Sequence, residues 1–390
     1  MDIRRAGIRR VECLDGLRGL AALWVLFGHM VILTGFRLPV LSKPDLGVDL
    51  FILLSGFLMV FQYRLRAGAE DWSAPGTWAA FWARRFFRLA PLFYVALAVA
   101  LIAGPAIYAD RVLIDGFLGQ PLQPRERYTD VSLANIATHV SFVFGLLPDY
   151  AFRTPLPDWS LGLEMQFYAA FPFLVLLARR MGWVPAALVA AGAALALAVL
   201  AHRLGLDFPM PAFLPLKLPL FLCGMLIAAD PGPGRGRIAV HLVVAMLLAV
   251  MPVGGDHDLL HVVVRELLVL GFFALVHLRA ASAVDWTARL LGSRPFHWLG
   301  ELSYGAYLIH LLVLHPVAAG VIAHFGTGLG AAGRFALTGA IVVPVTYALA
   351  FMTYKLVELP GQRLGKAVIA RFAGNGMQAR QTVAEEIAAP

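Results

Sequence analysis

Of 390 residues, 60% are hydrophobic and 14% charged, with a mean hydropathy of +0.75. A soluble domain carries about 25% charged residues, so lipid must be the solvent for much of this chain and a soluble globular class is excluded. The net charge of +8 falls in short clusters between apolar runs. That is the pattern of membrane topology, not of a nucleic-acid surface.

In chain order the apolar runs predict about ten crossings of ~20 residues each. The first span covers residues 14–34, behind Arg4, Arg5, Arg9 and Arg10. Asp15 and Arg18 interrupt its start and no small-residue cleavage site follows, so it reads as a retained span and not a signal peptide. The second and third spans are residues 46–63 and 87–109. A polar stretch, 110–130, precedes an apolar piece, 131–147, too short and interrupted to count as a crossing. Spans four to ten follow at 158–178, 184–204, 211–228, 238–252, 259–277, 299–323 and 335–354. Pro-Gly-Pro-Gly at 231–234 predicts a tight turn.

The fold expected is all-α: a polytopic transmembrane helix bundle with both termini cytoplasmic. Its membrane domain fills residues 1–372, and a polar, small-residue tail, 373–390, is expected to be disordered. This orientation places Arg64/Arg66, Arg84/Arg85/Arg88, Arg179/Arg180, Arg235/Arg237 and Arg279/Arg289/Arg294 inside, and most loop acids outside. The alternation holds only if 131–147 is re-entrant or lies on the outer surface. Cys13 and Cys223 sit far apart in apolar segments and suit packing better than a disulfide or a metal, and no metal-ligand cluster is read from the sequence.

Ionisable residues inside spans are costly, and each is a candidate for function. Arg18 and His29 in the first span are eleven residues apart. At ~100° and ~1.5 Å per residue they share a face and stand ~16 Å apart along the axis. Asp49 lies about one turn inside the second span, and Ser55-Gly56 further in gives close approach to a ligand or to another helix. Glu164 lies slightly more than a turn inside the fourth span. Counted from the span ends, His29, Asp49 and Glu164 have similar depth. A carboxylate there would fix the histidine's tautomer and support it as a base, unless the group is a structural polar network. Arg265-Glu266 either joins that network or forms a pair of its own. Arg84, Arg85 and Arg88 between the second and third spans form a cluster suited to phosphate, or to anchoring at the membrane surface. The ninth span adds Ser303, Tyr304, Tyr307 and a mid-membrane histidine, His310.

These residues stand in motifs. Leu14-Asp15-Gly16-Leu17-Arg18-Gly19-Leu20, leading to His29, resembles the first span of the acyltransferase-3 family of integral membrane acyltransferases. Gly47-Val48-Asp49-Leu50-Phe51 with Ser55-Gly56-Phe57 is similar to its second motif, and Arg84-Arg85-Phe86-Phe87-Arg88 to its basic loop. Trp159-Ser160-Leu161 with Glu164 and Tyr168, then Ser303-Tyr304 with Tyr307 and His310, and finally Glu358-Leu359-Pro360 follow in the family's order. The resemblance covers about residues 11–366.

It implies transfer of an acyl group, often acetyl, from cytoplasmic acyl-CoA to a hydroxyl of a glycan or other envelope molecule, at a bacterial inner membrane. No permanently bound cofactor is implied. His29, Asp49 and Glu164 are the expected catalytic residues, with His29 as general base or as a covalent carrier of the acyl group. Arg18, Ser55, Gly56, Arg84, Arg85 and Arg88 are expected to meet the donor, and Trp159, Ser160, Tyr168 and Tyr304 the substrate. Some members of the family carry a fused hydrolase-like domain; this chain is expected to act without one. The rival class is a transporter or exporter, since a polar bundle also suits a substrate pathway. The absence of an inverted repeat argues against it.

Overall fold

The computed structural model describes residues 3–229, 234–278 and 280–373. The expected disordered tail (save residue 373), residues 231–233 of the expected turn, and Arg279 lie outside them. Among the described residues every regular element is helical. In chain order these are α1 (Ile3–Thr34), α2 (Pro44–Arg66), α3 (Pro75–Leu118), α4 (Glu126–Thr129), α5 (Leu133–Val140), α6 (Trp159–Met181), α7 (Trp183–Arg203) and α8 (Leu214–Ala228). Then come α9 (Arg235–Ala249), α10 (Leu259–His277), α11 (Ser282–Leu291), α12 (Arg294–Glu301), α13 (Ser303–Phe325), α14 (Ala331–Thr353) and α15 (Leu359–Ala373). A π-helical turn, Tyr354–Glu358, joins α14 to α15 without a break.

Among the described residues, eight helices are long and apolar enough to cross a membrane. The predicted sixth and seventh spans are the shorter α8 and α9, 15 residues each. At ~1.5 Å per residue each reaches ~22 Å, less than a hydrocarbon core of ~30 Å. The segment 131–147 forms α5 and a single 3₁₀ turn, Val143–Leu146, with Val131 and Leu133 exposed. It makes no crossing helix, as expected.

The basic segment read as a loop before the third span is instead part of α3, whose 44 residues run from Pro75 past Asp115. Polar extensions stay helical because their charges pair along the helix: Arg111 meets Asp115 one turn on, at 2.8 Å. Pro91 and Pro105 lie within α3 without ending it, and Gly119, left-handed at φ 64°, stops it.

α1 stands in the middle of the bundle and packs on α2, α12, α13 and α14. α2 crosses α8 so closely that a Cβ on Gly56 would lie 2.1 Å from the Phe221 carbonyl oxygen, and one on Gly224 2.0 Å from that of Leu53. The glycines interlock the two backbones. Together α1, α2, α3, α6 and α13 surround the polar interior.

Candidate functional site

A cavity of about 440 Å³ opens among these helices. Its basic end is formed by Arg18 on α1 and by Arg85 and Arg88 on α3, with Asp15, His297 and Glu301 beside them. Arg85 and Arg88, three residues apart, share one helical face. Arg84, ~100° around the axis, points away and binds Glu70 at 2.8 Å. The expected arginine triplet is therefore split, with two members in the cavity and the third in a neighbouring ion pair. Arg85 also reaches the Gln62 carboxamide oxygen and lies over the Tyr168 ring, 5.7 Å from its centroid. Arg18 has Asp15 at 3.6 Å.

The cavity's middle is a carboxylate held by hydroxyls. Ser55 Oγ donates to Glu164 Oε1 at 3.1 Å, and the Tyr168 hydroxyl donates to the same oxygen. Tyr304 lines the wall and donates to the Leu89 carbonyl at 2.7 Å. The far end is formed by Phe51, Ser160 and Tyr307. There the rings of Phe51 and Tyr307 meet edge-on, 5.5 Å between centroids.

Of the residues expected at the site, Arg18, Ser55, Arg85, Arg88, Ser160, Glu164, Tyr168 and Tyr304 thus line one cavity. Gly56 does not: it serves the crossing with α8, which decides between the two uses open to it from sequence. Trp159 is buried off the cavity wall, 4% exposed.

His29, Asp49 and Glu164 do not come together. Asp49 is closed in by two cations, with Lys217 Nζ 2.6 Å from Oδ1 and Arg265 Nε 2.7 Å from Oδ2. Arg265 thus pairs with Asp49, and not with Glu266. Glu164 binds Ser55, six residues past Asp49 on α2, which sets it ~9 Å deeper along the axis. Matched depth fails because α6 begins inside the protein: Asp158 and Trp159 at its start are 1% and 4% exposed. Counting from a span's first residue assumes that it lies at the surface.

His29 has a different neighbour. Its Nδ1 is 3.0 Å from His310 Nε2 on α13 and 3.0 Å from the Val25 carbonyl oxygen. His310 Nδ1 bonds the Tyr307 carbonyl at 2.6 Å. Tyr307 therefore lines the cavity while its backbone anchors the histidine pair, one turn beyond the cavity's end. The pair stands on the side of α4, where Arg127 packs over the Phe152 ring at 3.6 Å and burial pushes its guanidinium down to about 10. Close by, Asp158 accepts from Thr154 Oγ1 at 2.7 Å.

Two charged residues to which the sequence assigns no role, one of them inside a matched motif, are also buried. Lys217, a lone lysine in apolar α8, holds Asp49; the rule that flagged Asp49 flags it equally. Glu358, in the Glu-Leu-Pro triplet, is 1% exposed at the π turn with neither carboxylate oxygen hydrogen-bonded. Elsewhere Asp256, Asp258 and His261 approach within 4.8 Å, a spacing that could hold a cation. Both ring nitrogens of His261 face carboxylates, Nδ1 that of Asp258 at 2.8 Å and Nε2 that of Asp45 at 2.9 Å.

A cavity walled by paired arginines at one end and ending beside two histidines suits an elongated anionic donor and a proton acceptor. Comparisons with known sequences identify the family. The family described as Acyltransferase domain matches residues 11–354. Acyltransferase MdmB of Streptomyces mycarofaciens is 26% identical over 91% of this chain and 92% of that protein. Nodulation protein 10 of Rhizobium leguminosarum bv. viciae is 27% identical over 83% of this chain and 84% of that protein. O-acetyltransferase OatA of Staphylococcus aureus (strain MRSA252) is 23% identical over 96% of this chain and 61% of that protein. No solved structure matches the chain. With nearly its whole length inside the family's match, this multi-pass membrane protein belongs to the acyltransferase-domain family and is a membrane-bound O-acyltransferase.

Proposed function

We propose that the protein moves an acyl group, acetyl foremost, from cytoplasmic acyl-CoA to a hydroxyl of a glycan or other envelope-associated acceptor at the outer side of a bacterial inner membrane. The observation that carries this reading is the cavity itself, with Arg18, Arg85 and Arg88 at one end and Tyr307, one turn from the histidine pair, at the other. The donor's phosphates would sit at Arg85 and Arg88, where guanidinium forks suit phosphate oxygens. The pantetheine arm would run past Arg18, with an amide N–H donating to Glu164. The ~16 Å between Arg18 and His29 suits that extended arm. In this topology α8 and α9 complete ten crossings and both termini are cytoplasmic.

His29 is the general base in this mechanism. Its free ring nitrogen takes the acceptor's hydroxyl proton as the oxygen attacks the thioester carbonyl. The C–S bond breaks, the acyl group passes to the acceptor oxygen, and the thiolate leaves with the proton that His29 returns. Neither Asp49 nor Glu164 touches His29, so Asp49 keeps a structural role and Glu164 a donor-binding one. The test uses the full chain in lipid nanodiscs with radiolabelled acetyl-CoA and envelope fractions. Loss of base-labile label in His29→Ala, with donor binding kept, is the expected result; wild-type turnover by that variant would sink the proposal.

A further inference from the structure

Three hydrogen bonds fix which nitrogen of His29 is the basic one. A carbonyl oxygen can only accept, so the 2.6 Å contact between His310 Nδ1 and the Tyr307 carbonyl puts a hydrogen on His310 Nδ1. Neutral His310 then presents a bare Nε2, 3.0 Å from His29 Nδ1. The other partner of that Nδ1 is the Val25 carbonyl, again an acceptor, at 3.0 Å. Two acceptors on one nitrogen require that it carry the hydrogen, shared between them. The lone pair of His29 is therefore on Nε2. A doubly protonated His310 fails the same count, because its Nε2–H would face the hydrogen that Val25 holds on His29.

Among the described residues, neither ring is hydrogen-bonded to a carboxylate. The group that usually orients a catalytic histidine is here a second histidine, supplied by α13. We infer that His310 is the positioning residue of the transfer reaction. It holds His29 as the Nδ1–H tautomer with Nε2 free for the acceptor's proton. Once Nε2 is protonated, the Nδ1–H···Nε2 bond is charge-assisted and about twice as strong as its neutral form, so it stabilises the state that the reaction must pass through. This inference rests on His29 being the base.

The first test needs no turnover. In the full chain, uniformly ¹⁵N-histidine labelled and reconstituted in lipid, nitrogen spectra distinguish protonated from bare ring nitrogens, with His29→Ala and His310→Ala assigning the signals. The expected spectrum has a protonated Nδ1 and a bare Nε2 on both rings; a protonated Nε2 on His29 overturns the inference. The second test is single-turnover transfer from acetyl-CoA to envelope fractions. His310→Leu should lose on the order of 10- to 100-fold, part of the 10²–10⁴ that a positioned base supplies, with donor binding unchanged. His310→Gln, whose carboxamide oxygen can accept from His29 Nδ1, should recover most of that loss. Equal losses for Leu and Gln, or none for Leu, overturn the inference while leaving the base in place. Should His310→Leu fail to fold, the native spectrum and the Gln variant still decide. A fully active His29→Ala removes the base itself, and this inference with it.

Discussion

The hydroxyls of Ser160 and Tyr307 meet at 2.7 Å at the head of the cavity, and the Tyr307 hydroxyl also touches the Pro157 carbonyl at 2.7 Å. A phenol has one hydrogen, and the carbonyl can only accept, so Tyr307 donates to Pro157 and Ser160 donates to Tyr307. Neither has a hydrogen left for a developing oxyanion. Tyr307→Phe should therefore act on folding, leaving a buried carbonyl unpaired at a cost of about 1–3 kcal/mol, while turnover per folded molecule stays within a few fold. Melting curves beside initial rates check this. A hundred-fold loss of rate at unchanged melting temperature would instead make Tyr307 a catalytic donor.

Asp49 is the anion between two buried cations, Lys217 and Arg265. Asp49→Ala leaves both uncompensated, and breaking such a pair costs about 3–5 kcal/mol. The variant should express poorly and melt far below the parent. Asp49→Ala combined with Lys217→Met should regain part of the loss, because one stranded charge is gone. Additive losses in the double variant would mean that the two do not interact.

Gly56 and Gly224 hold α2 and α8 in backbone contact. Either replaced by alanine must push the helices apart, a form of overpacking that costs about 1–3 kcal/mol. The surviving folded protein should bind acyl-CoA as before, since Gly56 does not line the cavity. Calorimetric titration with acetyl-CoA reads this, and a weakened donor affinity in Gly56→Ala at intact stability would return that residue to the donor site.

Arg85→Ala and Arg88→Ala should each weaken acyl-CoA binding by roughly tenfold or more, as expected for lost hydrogen bonds to charged groups. Arg84→Ala should change it far less, because Arg84 is engaged with Glu70. Equilibrium binding at two salt concentrations is the measurement, and equal effects at all three arginines would contradict the split seen on α3.

At the far end, the Phe51 ring packs against Tyr307 ahead of the histidines. Phe51→Ala should shift preference from acetyl toward longer acyl donors. Rates with acetyl-, butyryl- and hexanoyl-CoA measure it, and an unchanged ranking would mean that the acyl group lies elsewhere.

Hydropathy was enough to read the all-helical bundle and the non-crossing segment 131–147, because lipid imposes the same demand on every span. The cavity wall was legible in part, since Arg18, Ser55, Glu164 and Tyr168 are costly or unusual where they stand. Their partners were not legible. His29 looked toward a carboxylate and found His310 on a helix 281 positions away. Asp49 looked toward His29 and was claimed by Lys217. Such pairings depend on helix rotation and on where each helix starts within the protein, and span lengths carry neither. α6, which begins below the surface, shows how one buried start shifts every depth counted from it.

Helix α3 runs 44 residues without interruption, ~66 Å against a hydrocarbon core of ~30 Å. It carries Arg85 and Arg88 near one end and packs on α4 near the other, where a Cβ on Gly104 would meet the Tyr128 carbonyl. A single strut thus fixes the register between the arginine end of the cavity and the segment following residue 119. One residue inserted within α3 would turn the arginines out of their pocket by ~100° relative to that segment. The same insertion after Gly119 would leave them untouched. The strut divides the chain into a part whose length is fixed and a part free to vary, and under the proposed mechanism the second is where a new acceptor would be accommodated without rebuilding the arginine end of the cavity.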